Sequence, residues 1–447
     1  MVKHEPFNFK SKDELAAKIE SLGLSLPLSD EIPVLFQKYD FGGRVIPNRL
    51  AVHPMEGFDS QPDGSPDELA FRRYQRFASG GSGLIWFEAV SVAPEGRSNP
   101  HQLWLHDKNV DSFSRLVEHT RRTARETYGS GHELYLVVQL THSGRYSRPE
   151  GKCEPRVAAY NPYLDKDKDK IYVLNDDELA AIQDKFVNAA IASSKAGFDA
   201  VDIKACHGYL INDLLAAYER ENSRYGGSFE NRSRFLVETL ERIKSEILGI
   251  EIAIRLSLWD AVPYPFGFGA DRLDPREHYL KEPAQLINML KDCGCRLINV
   301  TMGNPYRNPS IGRPFDRPVP GSTEPNEHPL ESIYRIIETT SILQKQNAQL
   351  PFVGTGYSWL RQFWPYLAAG IIAAKKAHFI GLGRSAIAYP DAPRELMENQ
   401  KLSPNKTCIA CSRCTELMRC GGPTGCVIRD KEIYAREYKK CVNSSYR

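Results

Sequence analysis

The chain has 447 residues, of which 41% are hydrophobic and 26% are charged, a composition typical of a globular protein. A formal net charge of +2 argues against nucleic acid or an acidic membrane as a partner. The N-terminus lacks a signal-peptide core and no apolar run of 18 residues occurs, so we expect a soluble cytoplasmic protein. In that reducing compartment, clustered cysteines are expected to bind metal or act in redox chemistry rather than to form disulfides.

Short β-rich runs alternate with longer helical patterns along most of the chain. The eight predicted strands are 49–54, 84–90, 134–142, 198–205, 250–257, 296–302, 351–356 and 377–383. Helical patterns between them include 66–79 and 176–197, the second with Asn175 as its N-cap. The alternation predicts an α/β fold with a parallel sheet, and eight units favour a closed (β/α)₈ TIM barrel. A doubly wound sheet is the main competitor, but no G-x-G-x-x-G follows the first strand.

Three parts of the chain are expected. Residues 1–40 are predicted to form an N-terminal extension, 41–400 the barrel, and 401–447 a C-terminal tail that carries six of the ten cysteines, five of them within 408–426. Active sites of such barrels lie at the C-terminal ends of the strands. The residues that end each strand are therefore the candidates for chemistry.

Glycines follow the seventh and eighth strands, in GTG (354–356) and GLGR (381–384). They allow backbone N–H groups to approach a phosphate, and Arg384 would supply positive charge. Gln139 ends the third strand and offers a donor and an acceptor to a heteroaromatic edge, while Arg255 on the fifth can stabilise an anionic ring system. Taken singly, each of these positions favours the structural explanation, in which the glycines form turns and the arginines form salt bridges.

The fourth strand directs a charged side chain into the barrel. VDIKAC (201–206) has two alternating faces, one with Val201, Ile203 and Ala205 and the other with Asp202, Lys204 and Cys206. Because helices cover the outside of a barrel, the apolar face should point outward and Lys204 inward, near the mouth. A structural interpretation pairs Lys204 with Asp202 in an internal salt bridge, and both can hold.

A long segment after this strand carries a family resemblance. GFDAVDIKACHGYLINDLLAAYERENSRYGGSFENRSRF (197–235) resembles the signature region of the Old Yellow Enzyme family of FMN oxidoreductases. That region has a strand, a GYL turn into a helix, and then YGGS-EN-R-RF. The resemblance extends in order to RLAVHPM (49–55), VVQLTHSGR (137–145), IRLS (254–257) and GLGRSAIAYPD (381–391), and covers about residues 30 to 400.

The resemblance implies a barrel with FMN at its C-terminal mouth. The positions matching flavin contacts are Pro54, Met55, Glu56, Ala89, Gln139 and Arg255, and those matching the phosphate site are Gly354, Thr355, Gly356, Gly383 and Arg384. Glu56 departs from the family, which usually has a small polar residue or cysteine there. A carboxylate beside the flavin carbonyl has to be protonated or turn away.

The resemblance also implies three catalytic residues. Lys204 and His207 match the two donors that hold the carbonyl oxygen of an unsaturated substrate, and Tyr209 matches the tyrosine that protonates the neighbouring carbon. The family's usual donors are His with Asn or two His. Lys204 keeps the donor function and adds a fixed charge, which favours an enolate or carboxylate oxygen. The structural interpretations are a core histidine for His207 and helix-start packing for Tyr209.

The tail sequence CIACSRCTELMRCGGPTGC (408–426) contains Cys408, Cys411 and Cys414 in a C-x₂-C-x₂-C array, followed by Cys426 after eleven further residues. This spacing can wrap the chain around a compact ligand, and it fits an iron–sulfur cluster better than zinc, which usually takes two separated C-x₂-C pairs. Cys420 is either a free thiol or a substitute ligand. A disulfide network is the least favoured arrangement.

The tail resembles the cluster loop of an iron–sulfur subgroup of the same family, which includes 2,4-dienoyl-CoA reductase and trimethylamine dehydrogenase. The resemblance implies one [4Fe–4S] cluster on Cys408, Cys411, Cys414 and Cys426, without Cys420, that feeds electrons singly to FMN. A second flavin- and nucleotide-binding portion usually follows in that subgroup. This sequence ends at Arg447, so we expect an external ferredoxin, flavoprotein or NAD(P)H-oxidising partner as electron donor.

Reduction of an activated C=C bond in an α,β-unsaturated carbonyl or carboxylate compound is the function that these features favour. The alternatives are a flavin-dependent dehydrogenase or demethylase of a small amine or alcohol, and a non-catalytic redox sensor. Lys204 disfavours a cationic amine, and a sensor does not need the donor pair with Tyr209. The sequence leaves open the identity of the substrate, the physiological donor and whether the chain forms a homo-oligomer.

Overall fold

The computed structural model describes residues 3–322 and 324–445. Eight parallel strands close into a barrel, each paired with the next and the last paired with the first. They are β1 Leu50–Val52, β2 Leu84–Ser91, β3 Tyr135–Thr141, β4 Ala200–Ile203, β5 Glu251–Ser257, β6 Cys295–Thr301, β7 Phe352–Gly354 and β8 Phe379–Leu382. The predicted TIM barrel and all eight predicted strands are confirmed.

Helices surround the barrel and continue beyond it. They are α1 Lys12–Ser21, α2 Glu68–Ser79, α3 Val110–Tyr128, α4 Asp176–Lys195, α5 Leu210–Leu215, α6 Phe229–Glu246, α7 Lys281–Asp292, α8 Pro309–Gly312, α9 Pro329–Gln346, α10 Trp364–Ala373, α11 Arg384–Ala388, α12 Ala392–Asn399, α13 Arg413–Arg419 and α14 Lys431–Ser445. Asn175 caps α4 as predicted, since its side chain accepts from Glu178 N at 2.9 Å while the Glu178 carboxylate accepts from Asn175 N. In the described residues, no helix is both long and apolar enough to cross a membrane.

The barrel interior and the surface under the helices are two separate apolar layers. The interior layer includes Trp86, Tyr135 and Ala200, and a hairpin formed by Tyr39–Phe41 and Arg44–Ile46 packs against it through Phe41. Val201, Ile203 and Ala205 belong instead to the layer under the helices. The predicted alternation in β4 is therefore confirmed, and Lys204 faces inward.

Asp202, which shares this inward face, does not pair with Lys204. Its carboxylate accepts hydrogen bonds from Trp86 Nε1 at 2.8 Å, Gln139 Nε2 at 2.6 Å and the backbone N–H of Arg255 at 2.6 Å. The proposed salt bridge between Lys204 and Asp202 was wrong, because donors from the neighbouring strands already satisfy this carboxylate. Lys204 therefore pairs with a different group, which lies nearer the mouth.

Helix α2 connects the barrel to the C-terminal tail. β2 shifts register against β3 around Glu88, whose carboxylate pairs with the guanidinium of Arg73 at 2.8 Å. Arg73 also binds Asp59 at 2.6 Å and donates to the carbonyl oxygen of Thr424 at 2.8 Å. One buried guanidinium therefore joins two barrel carboxylates to the chain just before Cys426.

Candidate active site at the mouth of the barrel

A cavity with about 730 Å³ of atom-free space, including its open mouth, lies at the carboxyl ends of the strands. We call it the deep cavity. Residues from six strand ends line it, among them His53, Pro54, Met55, His207, Arg255, Thr301, Thr355, Gly356, Gly383 and Arg384. Its size is that of a cofactor or small-molecule site, and its position is where barrel enzymes bind their ligands.

The ends of β7 and β8 form one wall of the deep cavity, where glycines leave the backbone uncovered by side chains. Gly356 has φ of 102°, which a residue with a Cβ rarely adopts. A Cβ on Gly381 would lie 2.1 Å from His53 and 2.7 Å from the carbonyl oxygen of Gly354. Arg384 is buried, donates from one terminal nitrogen to Pro314 O at 2.5 Å, and has no hydrogen-bond partner on the other. An exposed backbone beside an unsatisfied guanidinium fits a phosphate group.

Arg255 lies deeper, on the floor of the same cavity. Its guanidinium is buried, donates only a long bond of 3.4 Å to Pro54 O, and keeps Nε without a partner. Burial lowers the pKa of this arginine, with the thiol of Cys206 and the carboxyl of Asp202 opposing that effect. A buried guanidinium so poorly satisfied fits an anionic or carbonyl-rich ring lying against it.

A second cavity of about 760 Å³, also open at one side, shares Pro54, Met55 and His207 with the deep cavity. We call it the side cavity. The predicted donors Lys204, His207 and Tyr209 all line it, together with Glu56 and Gln139. The structure therefore brings the predicted catalytic residues to one space that adjoins the candidate phosphate site.

Glu56 connects two of these residues. Its Oε1 accepts from the Tyr209 hydroxyl at 2.8 Å and from Lys204 Nζ at 3.4 Å, and its Oε2 accepts from Ser98 at 2.9 Å. Lys204 Nζ also lies 3.3 Å from the centroid of the Tyr209 ring. The carboxylate at this unusual position thus turns away from the deep cavity and toward the proton-donor candidate.

Burial sets the protonation states in the side cavity. It raises the pKa of Tyr209 well above 10, and the neighbouring Glu56 carboxylate raises it further. It lowers the pKa of His207 well below 6.5, with the positive charges of Arg255 and Lys204 acting in the same direction. At neutral pH, Tyr209 therefore keeps its proton and His207 is a neutral imidazole whose Nε2 lies 3.3 Å from the Thr301 hydroxyl.

Two predicted flavin contacts lie outside the walls of both cavities. Ala89 is buried in β2, where its carbonyl accepts from Gln102, and Gly354 contributes to the packing behind the wall. The loop after β6, in contrast, supplies Pro305, Tyr306 and Arg313, none of which the sequence singled out. A sixth strand ending in TMGNPY is the signal that would have directed attention there.

The tail brings four cysteines to the walls of one space. Cys408, Cys411, Cys414 and Cys426 line a cavity of about 360 Å³, which we call the thiol cavity. Arg384 lines it as well as the deep cavity, and Cys414 lines it as well as the side cavity. A single side chain, Arg384 or Cys414, therefore separates the thiol cavity from each of the other two cavities.

The loop that carries these thiols has an unusual backbone conformation. Ala410 and Ser412 have φ of 49° and 58°, unusual for residues other than glycine, and backbone N–H groups of Ala410 and Arg429 point at Cys408 and Cys426 sulfurs at 3.4 and 3.3 Å. Among the described residues, no three His, Cys, Asp or Glu side chains converge on one ion. A cluster needs no such convergence, since each thiolate binds a different iron.

Cys420 is not part of the thiol cavity. It forms a disulfide with Cys441 of α14, with the two Cα atoms 5.9 Å apart. The expectation of a free thiol or substitute ligand is wrong for Cys420, because its sulfur bonds to Cys441 and does not line the thiol cavity. A disulfide was the least favoured arrangement for the clustered cysteines, so that expectation is wrong for Cys420, while the other four clustered cysteines are free.

Comparison with known proteins identifies the family of the barrel. The model of the NADH:flavin oxidoreductase / NADH oxidase family matches residues 34–403. An NADH oxidase of Thermoanaerobacter brockii is 30% identical over 388 residues, which are 85% of this chain and 53% of that protein. The chain therefore spans about half the length of this relative.

Two solved structures share the fold. A 2-naphthoyl-CoA reductase complex has a TM-score of 0.72 at 19% identity, covering 91% of this chain and 58% of its own. The old yellow enzyme homologue from Zymomonas mobilis has a TM-score of 0.62 at 23% identity, covering 83% of this chain and 95% of its own.

The match to the family model covers the whole of the closed parallel barrel. The chain belongs to the NADH:flavin oxidoreductase / NADH oxidase family. The resemblance to Old Yellow Enzyme read from the sequence is thereby confirmed.

Proposed function

We propose that the protein uses FMN to reduce an activated C=C bond of an α,β-unsaturated carbonyl or carboxylate compound. The observation that carries this proposal is the convergence of Lys204, His207 and Tyr209 on one cavity that is continuous with the candidate flavin site. Hydride addition to such a bond requires hydrogen-bond donors for the substrate oxygen and a proton donor for the neighbouring carbon.

The residues of the deep cavity fit FMN. Its phosphate would lie against Thr355, Gly356, Gly383 and the free nitrogen of Arg384, and its ring would lie near Arg255. Pro54 and Met55, just after β1, would contact the ring from the opposite wall, and Gln139 would reach its edge from the side cavity. When bound in its reduced form, FMN supplies a hydride to the double bond.

The side chains then have separate tasks. Lys204 and neutral His207 donate hydrogen bonds to the substrate oxygen, where negative charge develops as the hydride arrives. Tyr209 donates its proton to the neighbouring carbon, so that one hydride and one proton saturate the bond. Glu56 holds the Tyr209 hydroxyl in position through the 2.8 Å hydrogen bond. Burial lowers the pKa of Lys204, and the Glu56 carboxylate opposes that effect.

We further propose that Cys408, Cys411, Cys414 and Cys426 hold a [4Fe–4S] cluster, the metal site of a C-terminal domain at 401–447 beyond the barrel at 41–400. The support is the shared thiol cavity, the left-handed residues of the loop and the N–H groups directed at sulfur. The cluster would exchange single electrons with the flavin. The donor would be a ferredoxin, a flavoprotein or NAD(P)H, the last indicated by the name of the NADH oxidase relative.

Anaerobic purification followed by counting FMN, iron and acid-labile sulfide tests the cofactors. Turnover of 2-cyclohexenone by protein reduced with viologen or NADH tests the reaction. We expect one FMN, four iron and four sulfide per chain, together with a saturated ketone. Absence of product with a fully reduced flavin would refute the proposed reaction, and oxidation of amines instead would favour the alternative dehydrogenase.

A further inference from the structure

A third space lies outside the side cavity, between the loop after β3 and the end of α13. We call it the vestibule, and it holds about 1400 Å³ of atom-free space including its open face. Tyr306, Met418 and Arg419 line both the vestibule and the side cavity, so the two spaces share a wall. A ligand that reacts in the side cavity can therefore extend past these three side chains into the vestibule.

The vestibule has an unbalanced positive charge. Arg148, Lys166 and Arg419 line it, and the described lining residues include no aspartate or glutamate. None of the three takes part in an ion pair of the described chain. The two aspartates that flank Lys166 already have partners, since Asp165 pairs with Arg145 and Asp167 pairs with Lys170. The charges around the vestibule are therefore left without a counterion from the protein.

Arg419 is the least exposed of these three cations. Its guanidinium donates to the carbonyl oxygen of Pro305 at 3.2 Å, and burial lowers the pKa of the group. A partly buried cation without a carboxylate partner is stabilised by a ligand that supplies the opposite charge. Tyr146 and Tyr306 stack at 3.7 Å between ring centroids beside it, which gives the vestibule a flat aromatic wall.

We propose that the vestibule binds the phosphate groups of a ligand whose reacting end enters the side cavity. Three unpaired cations around one recess suit a multiply charged anion better than a single carboxylate, and a concave recess suits a small molecule better than the surface of an acidic protein. The proposal rests on the proposed function in assigning the reacting end to the side cavity. The phosphates belong either to the substrate or to a nicotinamide nucleotide.

Binding of inorganic pyrophosphate to the anaerobic, FMN-loaded protein tests the site without turnover, because bound FMN fills the phosphate position at Arg384. Calorimetry at low ionic strength should show binding that the double variant Arg148→Gln/Lys166→Gln weakens about tenfold or more. Lys195→Gln, an exposed lysine at the far end of α4, is the matched control and should bind as the parent does. Equal binding by all three proteins, or none by the parent, would overturn the proposal.

Two kinetic comparisons distinguish the sources of the phosphate. If the substrate carries it, the double variant should raise KM for crotonyl-coenzyme A and leave that for its truncated ethyl thioester unchanged. If the nucleotide carries it, the double variant should slow flavin reduction by NADPH more than reduction by dithionite. Either result supports the site, whereas slower reduction by an acidic flavodoxin with unchanged pyrophosphate binding would assign the charges to a protein partner and refute it.

Discussion

Glu56, Lys204 and Tyr209 form one connected group at the mouth of the barrel, with the Glu56 carboxylate between the ammonium and the hydroxyl. Strand alternation was enough to direct Lys204 into the barrel, because inward and outward positions follow from a period of two. The partner of Lys204 was not predictable in the same way. Glu56 is 148 residues away in the chain and meets Lys204 only when the barrel closes. Pairings between distant strand ends depend on that closure, and no local pattern encodes them.

Tyr209→Phe should separate protonation from hydride transfer. Because the pKa of Tyr209 is raised well above 10, its hydroxyl stays protonated at neutral and mildly alkaline pH. Deprotonation of Tyr209 should therefore not slow the reoxidation of the reduced flavin by 2-cyclohexenone between about pH 7 and 9. Removing the hydroxyl should slow reoxidation on the order of 100-fold and leave flavin reduction unchanged. Stopped-flow absorbance measures both steps.

Tyr218→Phe is the matched control for that experiment. Its hydroxyl donates to Glu282 at 2.7 Å, away from the described walls of the three cavities at the mouth. An alkaline loss of rate near pH 9 in the parent that disappears in Tyr209→Phe would show that the pKa is not raised. Equal rates for the parent and Tyr209→Phe would remove Tyr209 from the proton path.

Glu56→Gln should change the flavin potential. A negative charge near the flavin disfavours its reduced, electron-rich form, so the amide should raise the midpoint potential by on the order of tens of mV. Glu56→Asp keeps the charge but shortens the reach to Tyr209, so it should slow protonation and shift the potential less. Redox titration of both variants separates charge from positioning, and an unchanged potential in Glu56→Gln would refute the electrostatic role.

At the scale of whole elements, strands and helices followed from periodicity, whereas loops that line the cavities did not. The segment from Pro305 to Arg313 contributes to two cavities, yet its residues have neither helical nor strand periodicity. The disulfide between Cys420 and Cys441 escaped prediction because it depends on how α14 returns to the end of α13. Element types are local properties, but the path between elements depends on the rest of the fold.

Helix α2 holds the tail through charge as well as through Arg73. Asp430, which is 7% exposed, accepts from Arg72 at 2.7 and 2.9 Å and from Arg76. Asp430→Asn should therefore lower the stability of the docked tail by about 1–2 kcal/mol, a modest value because the arginines are about one third exposed and regain water. Faster proteolysis within residues 400–430 and faster loss of iron would measure it.

Asp184→Asn provides the comparison for that change. Asp184 pairs with Arg242 at 2.6 Å, but its side chain is 63% exposed, so the loss should be within about 0.5 kcal/mol. The barrel itself should melt normally in both variants. Equal proteolysis of the two proteins would mean that the ion pairs to α2 do not hold the tail.

At the scale of the whole molecule, the tail completes the mouth of the barrel. Cys414, Thr415, Met418 and Arg419 of α13 form the outer wall of the side cavity, and Arg313 from the loop after β6 donates to the Thr415 hydroxyl. Anything that orders the tail therefore also shapes the substrate site. Binding of a cluster would couple the two, because metal ligation stabilises the loop that carries the ligands.

Serine substitutions of the tail cysteines test this coupling. Cys426→Ser should lose the visible absorbance and the iron of the anaerobic protein, and should also weaken binding of carbonyl ligands in the side cavity because α13 loosens. Cys420→Ser should retain iron, since Cys420 lies outside the thiol cavity and bonds to Cys441. Iron analysis and visible spectra of the purified variants measure the first effect, and ligand titration measures the second.

Cys441→Ser is the control that makes the experiment decisive, because it breaks the same disulfide as Cys420→Ser without touching any residue of the cluster loop. The two variants should therefore behave alike: both should loosen α14 toward proteases and both should keep four irons per chain. If Cys420→Ser loses iron while Cys441→Ser retains it, Cys420 is a ligand and the assignment of Cys426 is wrong. If both lose iron equally, the disulfide rather than a thiolate bond holds the loop in its ligating conformation.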